Sequence, residues 1–285
     1  MTAEEFEERL RELRPRLHRY CARMTGSTVD GEDMLQESLL KALHARDEGV
    51  QVANLGGWLL RIAHNTCLDF LRQRVRQNVV PLAEDIEAEV MPDQEIVAVS
   101  FQVFLQLPEL QRCAVILKDV LGHSVEEIAV VADCSQAAAK SALQRGRAAL
   151  RQLAAQPADA RLPLMRESVR QQIAVYVRLF QAGDFDAIRA MLAEDVQLEL
   201  VNRLRLEGKQ NVQRYFTRYA EETKWRFAFG AVEGRPAMLV FDANGQPDKL
   251  SHFVLLEWRG TQLAAIRDFL FSPYATEAID WMRLA

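Results

Sequence analysis

Apolar side chains recur at every third or fourth position through much of the first 155 residues. This spacing places them on one face of a helix and predicts α-helices at residues 3–24, at about 30–46 and at 58–76. Gly26-Ser27 separates the first two helices, and a loop ending in Gly56-Gly57 precedes the third. The pattern therefore predicts an all-α N-terminal part.

Three further helices are predicted between Leu107 and Leu153. Pro108 suits a first helical turn, and Gly122 ends the apolar stripe that follows it. Ser124 with Glu127 three residues later is a capping box that opens a second helix, and a turn at residues 133–135 precedes the last one. A short helix, a tight turn and a longer helix predict a helix-turn-helix, whose second helix enters a DNA groove.

A different pattern begins after residue 164. An amphipathic helix is predicted at residues 165–181, with shorter helices at 186–192 and 211–222. Alternating apolar and polar residues predict strands at 196–201, 225–231, 237–241, 250–257 and 263–271. Helices that precede a strand meander indicate an α+β domain. The predicted fold class is therefore a multidomain chain with an all-α N-terminal part and an α+β C-terminal domain.

Charge is unevenly distributed along the chain. The 35 Lys and Arg residues are outnumbered by 40 Asp and Glu, and the net charge of −5 does not favour a nucleic-acid partner. Residues 135–153 nevertheless contain cations and no acid, and residues 57–78 are also basic overall. DNA responds to charge within a Debye length, so these two segments are candidate DNA contacts. A solvated helix surface is the alternative interpretation.

Two proline-containing segments divide the chain. We predict domains at residues 1–78, 102–155 and 165–285, joined by linkers at 79–101 and 156–164. The four cysteines form no C-x-x-C pair, so neither a zinc site nor a disulfide framework is expected. No apolar stretch reaches about 18 residues, and the first residues lack a signal-peptide pattern. We expect a cytoplasmic protein with no membrane contact, metal or cofactor.

Three motifs carry a resemblance to a known family. They are DGEDMLQESLLKA at Asp30–Ala42, GWLLRIAHNTCLDFLRQR at Gly57–Arg74, and the helix-turn-helix at Leu107–Leu153. In this order and spacing they resemble regions 2 and 4 of the extracytoplasmic-function (ECF) sigma factors of bacterial RNA polymerase. The resemblance implies a promoter-specificity subunit whose partners are core RNA polymerase and promoter DNA. Whether a separate anti-sigma factor binds it stays open.

In region 2, the resemblance assigns two sets of residues. The set placed against the coiled-coil clamp of the largest polymerase subunit is Asp33, Gln36 and Glu37. The set placed on the unstacked strand of the minus-10 element is Trp58, Arg61, Asn65, Arg72, Arg74 and Arg76. Cations hold the phosphates of a single strand, and an aromatic ring stacks on its bases. Trp58 can equally anchor the helix start in the core, and Asn65 can cap backbone, so both alternatives stay open.

In region 4, the resemblance assigns the minus-35 element to the last helix. The residues are Gln136, Lys140, Ser141, Gln144, Arg145 and Arg147. Lys and Arg read guanine edges and Gln pairs with adenine, whereas Arg147 is expected on phosphate. Ala139, Ala142 and Gly146 depart from the Val, Arg and Ala that the family favours. A missing cation and a mid-helix glycine lead us to expect weaker reading of the upstream element.

Residues 165–285 resemble the cone-shaped nuclear-transport-factor-2-like fold of SnoaL-like domains. The resemblance rests on AGDFDAIRAMLAEDV at 182–196, GKQNVQRYF at 208–216 and IRDFLFSP at 266–273. Relatives form a cup with a pocket, for which the candidate residues here are Tyr215, Trp225, His252 and Asp268. Some sigma factors of this group carry such an extension, which modulates polymerase activity in cis, and a small-molecule ligand is a candidate partner.

Three functions are compatible with these patterns. A sigma factor with a C-terminal regulatory domain, which is not an enzyme, accounts for both helical modules in their order. A cyclase- or isomerase-like enzyme fused to a DNA-binding module would depend on the pocket residues. A stand-alone helix-turn-helix regulator would leave residues 30–76 without a role. The sigma factor is the function that we predict.

Overall fold

The computed structural model of the chain describes residues 2–50, 52–77, 100–154, 167–221, 224–246 and 248–284. Apart from residues 100 and 101, the two predicted linkers lie outside the described residues. The chain divides into two compact units, Met1–Asp159 and Ala160–Ala285. The first unit is helical and the second contains a sheet with helices, so the predicted fold class is confirmed.

The helices of the first unit begin where the sequence supplies capping side chains. The described elements are α1 (Ala3–Thr25), α2 (Thr28–Asp47), α3 (Leu55–Gln77), α4 (Phe101–Phe104), α5 (Glu109–Val115) with a π-helical turn at Ile116–Val120, α6 (Val125–Val131) and α7 (Gln136–Ala154). Thr2 caps α1 and Ser27 caps α2. Asn54 caps α3 by accepting from the Gly57 N–H at 3.0 Å, so Gly56-Gly57 lies within the first helical turn and not in the predicted loop.

All helices of this unit contribute to one apolar core. Its largest fully buried side chains include Tyr20 and Leu35 from the first two helices and Phe104 from α4. The two long N-terminal helices cross closely at Gly31, where a Cβ atom would lie 2.5 Å from the backbone nitrogen of Ala22. Only glycine permits this approach, which sets how closely α2 packs on α1.

His64 of α3 is part of this core. Its Nδ1 atom lies 2.7 Å from the hydroxyl of Tyr20, and its ring is buried. Burial, with a smaller contribution from the charge of Arg72, lowers the pKa of His64 to about 4. The imidazole is therefore neutral in the folded chain near pH 7 and has a packing role.

We expect His64 to make the helical unit less stable as the pH falls from about 6.5 towards 4. In this window the unfolded chain protonates His64, whose ordinary pKa is 6.5, while the folded chain does not. The contribution of His64 to the loss reaches up to about 3 kcal/mol near pH 4. Urea unfolding of the native chain and of His64→Gln across this range measures it. The variant should show the shallower dependence on pH, and equal slopes would contradict the assignment.

The second unit is built around a seven-stranded sheet. Its described helices are α8 (Glu167–Ala182), α9 (Phe185–Met191) and α10 (Lys209–Glu221). Its strands are β1 (Leu192–Leu200), β2 (Leu204–Glu207), β3 (Trp225–Val232), β4 (Arg235–Asp242), β5 (Leu250–Arg259), β6 (Gln262–Asp268) and β7 (Trp281–Arg283). Across the sheet, neighbouring strands follow the order β2-β1-β6-β5-β4-β3-β7. Only the β1–β6 pair is parallel among them. The short edge strands β2 and β7 are the two that the alternation pattern did not predict.

Aromatic side chains fill the space between the helices and one face of the sheet. The ring of Phe180 in α8 packs against Phe216 and Tyr219 of α10 and against Phe227 of β3, with centroids 5.0–6.1 Å apart. This packing holds α10 over the strands, so its tyrosines face the ends of β5 and β6. The candidate pocket residues lie at that position.

Candidate nucleic-acid and partner interfaces

The helix-turn-helix forms as the sequence predicts. Ser124 and Glu127 make both hydrogen bonds of the capping box at α6. Asp133 adopts a left-handed φ of 50° in the turn, and the Ser135 hydroxyl accepts from the Ala138 N–H at 3.1 Å to cap α7. These local bonds fix the angle at which α7 leaves the turn.

One face of α7 is exposed and carries most of the predicted minus-35 residues. Gln136, Lys140, Gln144 and Arg145 are exposed, and Ser141 between them is half-buried. The spacing of four residues places Gln136, Lys140 and Gln144 along one side of the helix, and Arg145 lies farther round it next to Gln144. These side chains include cations and amides, the two kinds of group that donate hydrogen bonds to base edges. None of them is a carboxylate.

Arg147, three residues after Gln144, is half-buried and holds an ion pair within region 4. Its guanidinium forms a two-point ion pair with Asp119 of the π-helical turn, whose side chain is fully buried. A buried carboxylate needs such a partner, because leaving it unpaired is strongly destabilising. The ion pair gives Arg147 a structural role within region 4, and its contact with phosphate stays a prediction.

The three small residues that depart from the family pattern all lie on the buried face of α7. Ala139 and Ala142 are fully buried, and a Cβ atom at Gly146 would lie 2.7 Å from Val115 Cγ2 and 2.9 Å from the Gln111 carbonyl oxygen. These residues set how closely α7 packs on α5 and do not face a groove. Because these three residues are buried, they give no reason to expect weaker reading of the minus-35 element.

We expect Gly146→Ala to destabilise the helical unit even though alanine is the better helix former. The gain in helix propensity is about 1 kcal/mol, but the added methyl group meets a backbone carbonyl that cannot rotate away. A net loss of about 1–2 kcal/mol is expected from this overpacking. Urea unfolding measures the change in the free energy of unfolding. The control is Ala137→Gly at an exposed position of the same helix, where only helix propensity should decide the effect. Stabilisation by Gly146→Ala would contradict the packing argument.

The minus-10 residues of α3 also share one exposed face. Arg61, Asn65 and Arg72 are exposed at helical spacing. Arg74 is exposed as well and lies 3.2 Å from Asp30. The side chain of Arg76 lies outside the described residues. The face carries cations and one amide, which suit a single strand, and also Asp69, whose carboxylate lies 3.7 Å from the Arg72 guanidinium.

Trp58 lies at the N-terminal end of this face and is partly buried. Its ring packs against the helical core and is not fully exposed. The interpretation as a core anchor therefore has direct support, while the exposed edge leaves contact with a base open. Asn54 was not a predicted site residue, and an asparagine three residues before Gly57 is the capping signal that could have identified it.

The predicted polymerase-binding residues lie on the outer face of α2. Asp33 and Glu37 are exposed and Gln36 is half-buried. Leu40, on the next turn, is 57% exposed and adds an apolar side chain to this face. Glu32, the residue before Asp33, is fully buried and paired with Arg14 of α1.

The structure brings the four candidate pocket residues of the second unit together. The Tyr215 hydroxyl donates to Asp268 Oδ2 at 2.9 Å, and the Trp225 ring lies 5.1 Å from the ring of His252. Tyr219, which was not predicted, completes the cluster by donating to Asp268 Oδ2 at 2.8 Å and lying 3.0 Å from His252 Nε2. Its position one helical turn after Tyr215 on an amphipathic helix is a signal that sequence analysis could have used.

The cluster is a buried and largely satisfied hydrogen-bond network. Asp268 accepts from both tyrosines and from the Leu270 N–H at 2.8 Å. Burial, reinforced by the charge of Asp268, raises the pKa of Tyr215 and Tyr219 well above 10. Burial lowers the pKa of His252, although Asp268 opposes this change. Three donors hold the Asp268 carboxylate, which has about four lone-pair sites, so little of its acceptor capacity is left for the proton of a substrate.

The described ranges lack two features that other classes of protein show. No group of three or more His, Cys, Asp or Glu side chains there is arranged to hold a metal ion. None of the helices in those ranges combines the length and apolar character that crossing a bilayer requires.

Comparison with known families and proteins agrees with both units. Residues 10–77 match Sigma-70 region 2, residues 102–150 match Sigma-70 region 4, and residues 173–270 match the SnoaL-like domain. The crystal structure of the extracytoplasmic function sigma factor SigJ from Mycobacterium tuberculosis aligns over 94% of this chain and 95% of SigJ, with 20% identity and a TM-score of 0.36.

Two curated relatives have similar sequences. The ECF RNA polymerase sigma factor SigG of Mycobacterium tuberculosis is 30% identical over 226 residues, which are 69% of this chain but only 61% of SigG. SigM, an ECF RNA polymerase sigma factor of the same species, is 30% identical over 149 residues, which are 52% of this chain and 76% of SigM. Because it matches SigM over most of that protein and carries both sigma regions in order, the chain belongs to the ECF RNA polymerase sigma factors.

Proposed function

We propose that the chain directs core RNA polymerase to specific promoters and starts transcription there. The observation that carries this proposal is the presence of separate exposed faces on α2, α3 and α7, each with side chains suited to a different partner. A stand-alone helix-turn-helix regulator would need only the α7 face. It would leave the acidic face of α2 and the cationic face of α3 without a role.

The α2 face suits docking on a basic protein surface. Asp33 and Glu37 are acceptors, and Leu40 gives the face an apolar centre that can be buried in a complex. We assign this face to the clamp of the polymerase. The Lys41–Glu37 ion pair at 2.7 Å is exposed and would be rearranged at little cost.

The α7 and α3 faces suit two forms of DNA. On α7, Lys140 and Arg145 are placed to read guanine edges, and Gln136 and Gln144 to read adenine, in a duplex. On α3, Arg61 and Arg72 suit phosphates and Asn65 a base edge of an unstacked strand. We assign these faces to the minus-35 and minus-10 elements.

The SnoaL-like domain is assigned a regulatory role in cis. Its polar cluster supports this assignment because Asp268 is already bonded to three donors and His252 is buried. Binding of a small-molecule ligand is the second candidate role of this domain, and one observation favours it. The hydroxyl of Tyr176 is buried without a hydrogen-bond partner in the described part of the chain, so a bound polar group would satisfy it.

We expect Asp268→Asn to act on the stability of this domain. The side-chain NH₂ group of asparagine replaces an acceptor oxygen and would face hydroxyl and N–H groups that donate to Asp268. The free energy of unfolding is therefore expected to fall by about 1–3 kcal/mol. Thermal unfolding of the full chain measures it, with Asp242→Asn at a surface turn as the control. Turnover of a polyketide-like substrate by the native chain, abolished in Asp268→Asn, would instead support the enzyme.

The regulatory role is tested by transcription with core polymerase, comparing the full chain with a truncation that ends near Gln156. Stronger initiation by the truncated chain would make the SnoaL-like domain an inhibitor of the sigma regions. Weaker initiation would make it an activator. Equal initiation by both at every promoter would contradict regulation in cis.

A further inference from the structure

Ala137 lies in the middle of the exposed face of α7. It is the second residue of the helix, and it is exposed. A helix turns by about 100° per residue, so Ala137 projects within about 20° of Gln144, two turns later. Lys140 and Ser141, one turn later, lie to either side of the line that joins them. Ala137 is therefore placed among the side chains that we assign to the minus-35 element.

Packing within region 4 does not explain an apolar side chain at this position. Ala139 and Ala142 of the same helix are fully buried and belong to the helical core, and Ala138 is half-buried. Ala137 is exposed and lies outside that core in the part of the chain that the structure describes. Its methyl group is therefore available for contact with a partner.

The first turn of α7 is the part of the helix that comes nearest to base edges. In a helix-turn-helix, residues at the N-terminal end of the second helix contact the bases in the major groove. The Ser135 hydroxyl accepts from the Ala138 N–H at 3.1 Å, so the turn that contains Ala137 is held in helical form. Because an alanine side chain is a single methyl group, contact at this position requires the backbone of α7 to approach the base edges closely. A longer side chain would hold this turn farther from the bases.

The methyl group of Ala137 matches one particular group of the major groove. Among the groups that base pairs present there, the C5-methyl group of thymine is the apolar one, and alanine is one of the side chains that contact it. Gln136, directly before Ala137, is assigned to adenine, which pairs with thymine. An amide and a methyl group on consecutive residues therefore suit the adenine and the thymine of one A·T pair, or of two neighbouring pairs.

We propose that Ala137 is a specificity-determining residue of α7 that recognises the C5-methyl group of one thymine in the minus-35 element. The contact removes two methyl groups from water and adds to the hydrogen bonds that Gln136 and Lys140 can form with base edges. Cytosine and uracil lack this methyl group, so the contact discriminates against both at that position. The inference rests on the proposed function, because it takes α7 as the helix that reads promoter DNA.

Deoxyuridine tests this contact, because it pairs as thymidine does and lacks only the methyl group. Each thymine of the minus-35 element, on either strand, is replaced in turn in a promoter that the full chain uses with core polymerase. Run-off transcription is measured at subsaturating concentrations of the chain, where initiation follows promoter affinity. Burial of one methyl group corresponds to about fourfold in affinity, so replacement of one thymine should lower initiation by about fourfold.

In Ala137→Gly, thymine and deoxyuridine at that position should support equal initiation, because glycine has no methyl group. Ala138→Gly is the matched control, since it removes the same group from the half-buried neighbouring residue and should retain the difference of about fourfold. An unchanged difference in Ala137→Gly, or a native chain that initiates equally from every substituted promoter, would overturn the inference. Failure of the proposed function looks different, because the native chain would then initiate from no promoter fragment at all.

Discussion

Replacing both Asp33 and Glu37 with lysine should lower promoter-dependent transcription by about hundredfold or more. The two carboxylates are exposed on α2 beside Leu40, so a docked partner surface must bring complementary cations close to them. Placing like charges opposite each other at an interface costs several kcal/mol, and about 2.7 kcal/mol corresponds to hundredfold. Competition with a primary sigma factor for core polymerase measures the loss of binding directly.

The control for this prediction is a second double variant, Glu7→Lys with Glu8→Lys. It changes the net charge by the same amount on exposed positions of α1, away from the α2 face. Helical content and urea midpoint should match the native chain in both variants, because exposed charges contribute little to stability. If the α2 variant competes for polymerase as well as the control does, α2 is not the docking face.

Removing Lys140 and Arg145 together should abolish the preference for particular bases of the upstream element. Each side chain is exposed on α7 and can form hydrogen bonds to a guanine edge, worth about 1–3 kcal/mol of discrimination. Together the two alanine substitutions should cost about 2–6 kcal/mol if the positions act independently. Transcription from a series of single-base promoter substitutions measures which bases lose their effect.

Arg147→Ala provides the contrast for this prediction. Its guanidinium pairs with buried Asp119, so its loss should lower the stability of region 4 and leave the base preference of folded molecules unchanged. A promoter series that is unaffected by either Lys140→Ala or Arg145→Ala would show that the assigned register of α7 is wrong. A change in base preference in Arg147→Ala would place it among the residues that read bases.

Sequence analysis predicted the features that depend on local rules. The capping box at Ser124 and Glu127, the turn at Asp133 and the apolar period of α7 involve residues within a few positions of each other. Such features follow from helix geometry and capping chemistry alone. Gln136, Lys140 and Gln144 accordingly lie exposed along one side of α7, and their contact with DNA stays a prediction.

Two features that sequence analysis missed, the pairings of Glu32 and Arg147, depend on partners far apart in the chain. Glu32 follows the period of an exposed face, but Arg14 approaches it from α1 and both are buried. Arg147 has the spacing of a phosphate contact, but Asp119 binds it from another element. Periodicity places side chains on a helix face and carries no information about which neighbouring element covers that face.

The central claim is tested most directly by run-off transcription with purified core polymerase and the full chain on a library of promoter fragments. The account predicts initiation at a defined start site on a subset of fragments. It also predicts loss of that initiation in the Asp33→Lys, Glu37→Lys variant. Tight, specific binding of duplex DNA by the chain alone, with no initiation from any fragment in the presence of core polymerase, would contradict it and indicate a stand-alone regulator.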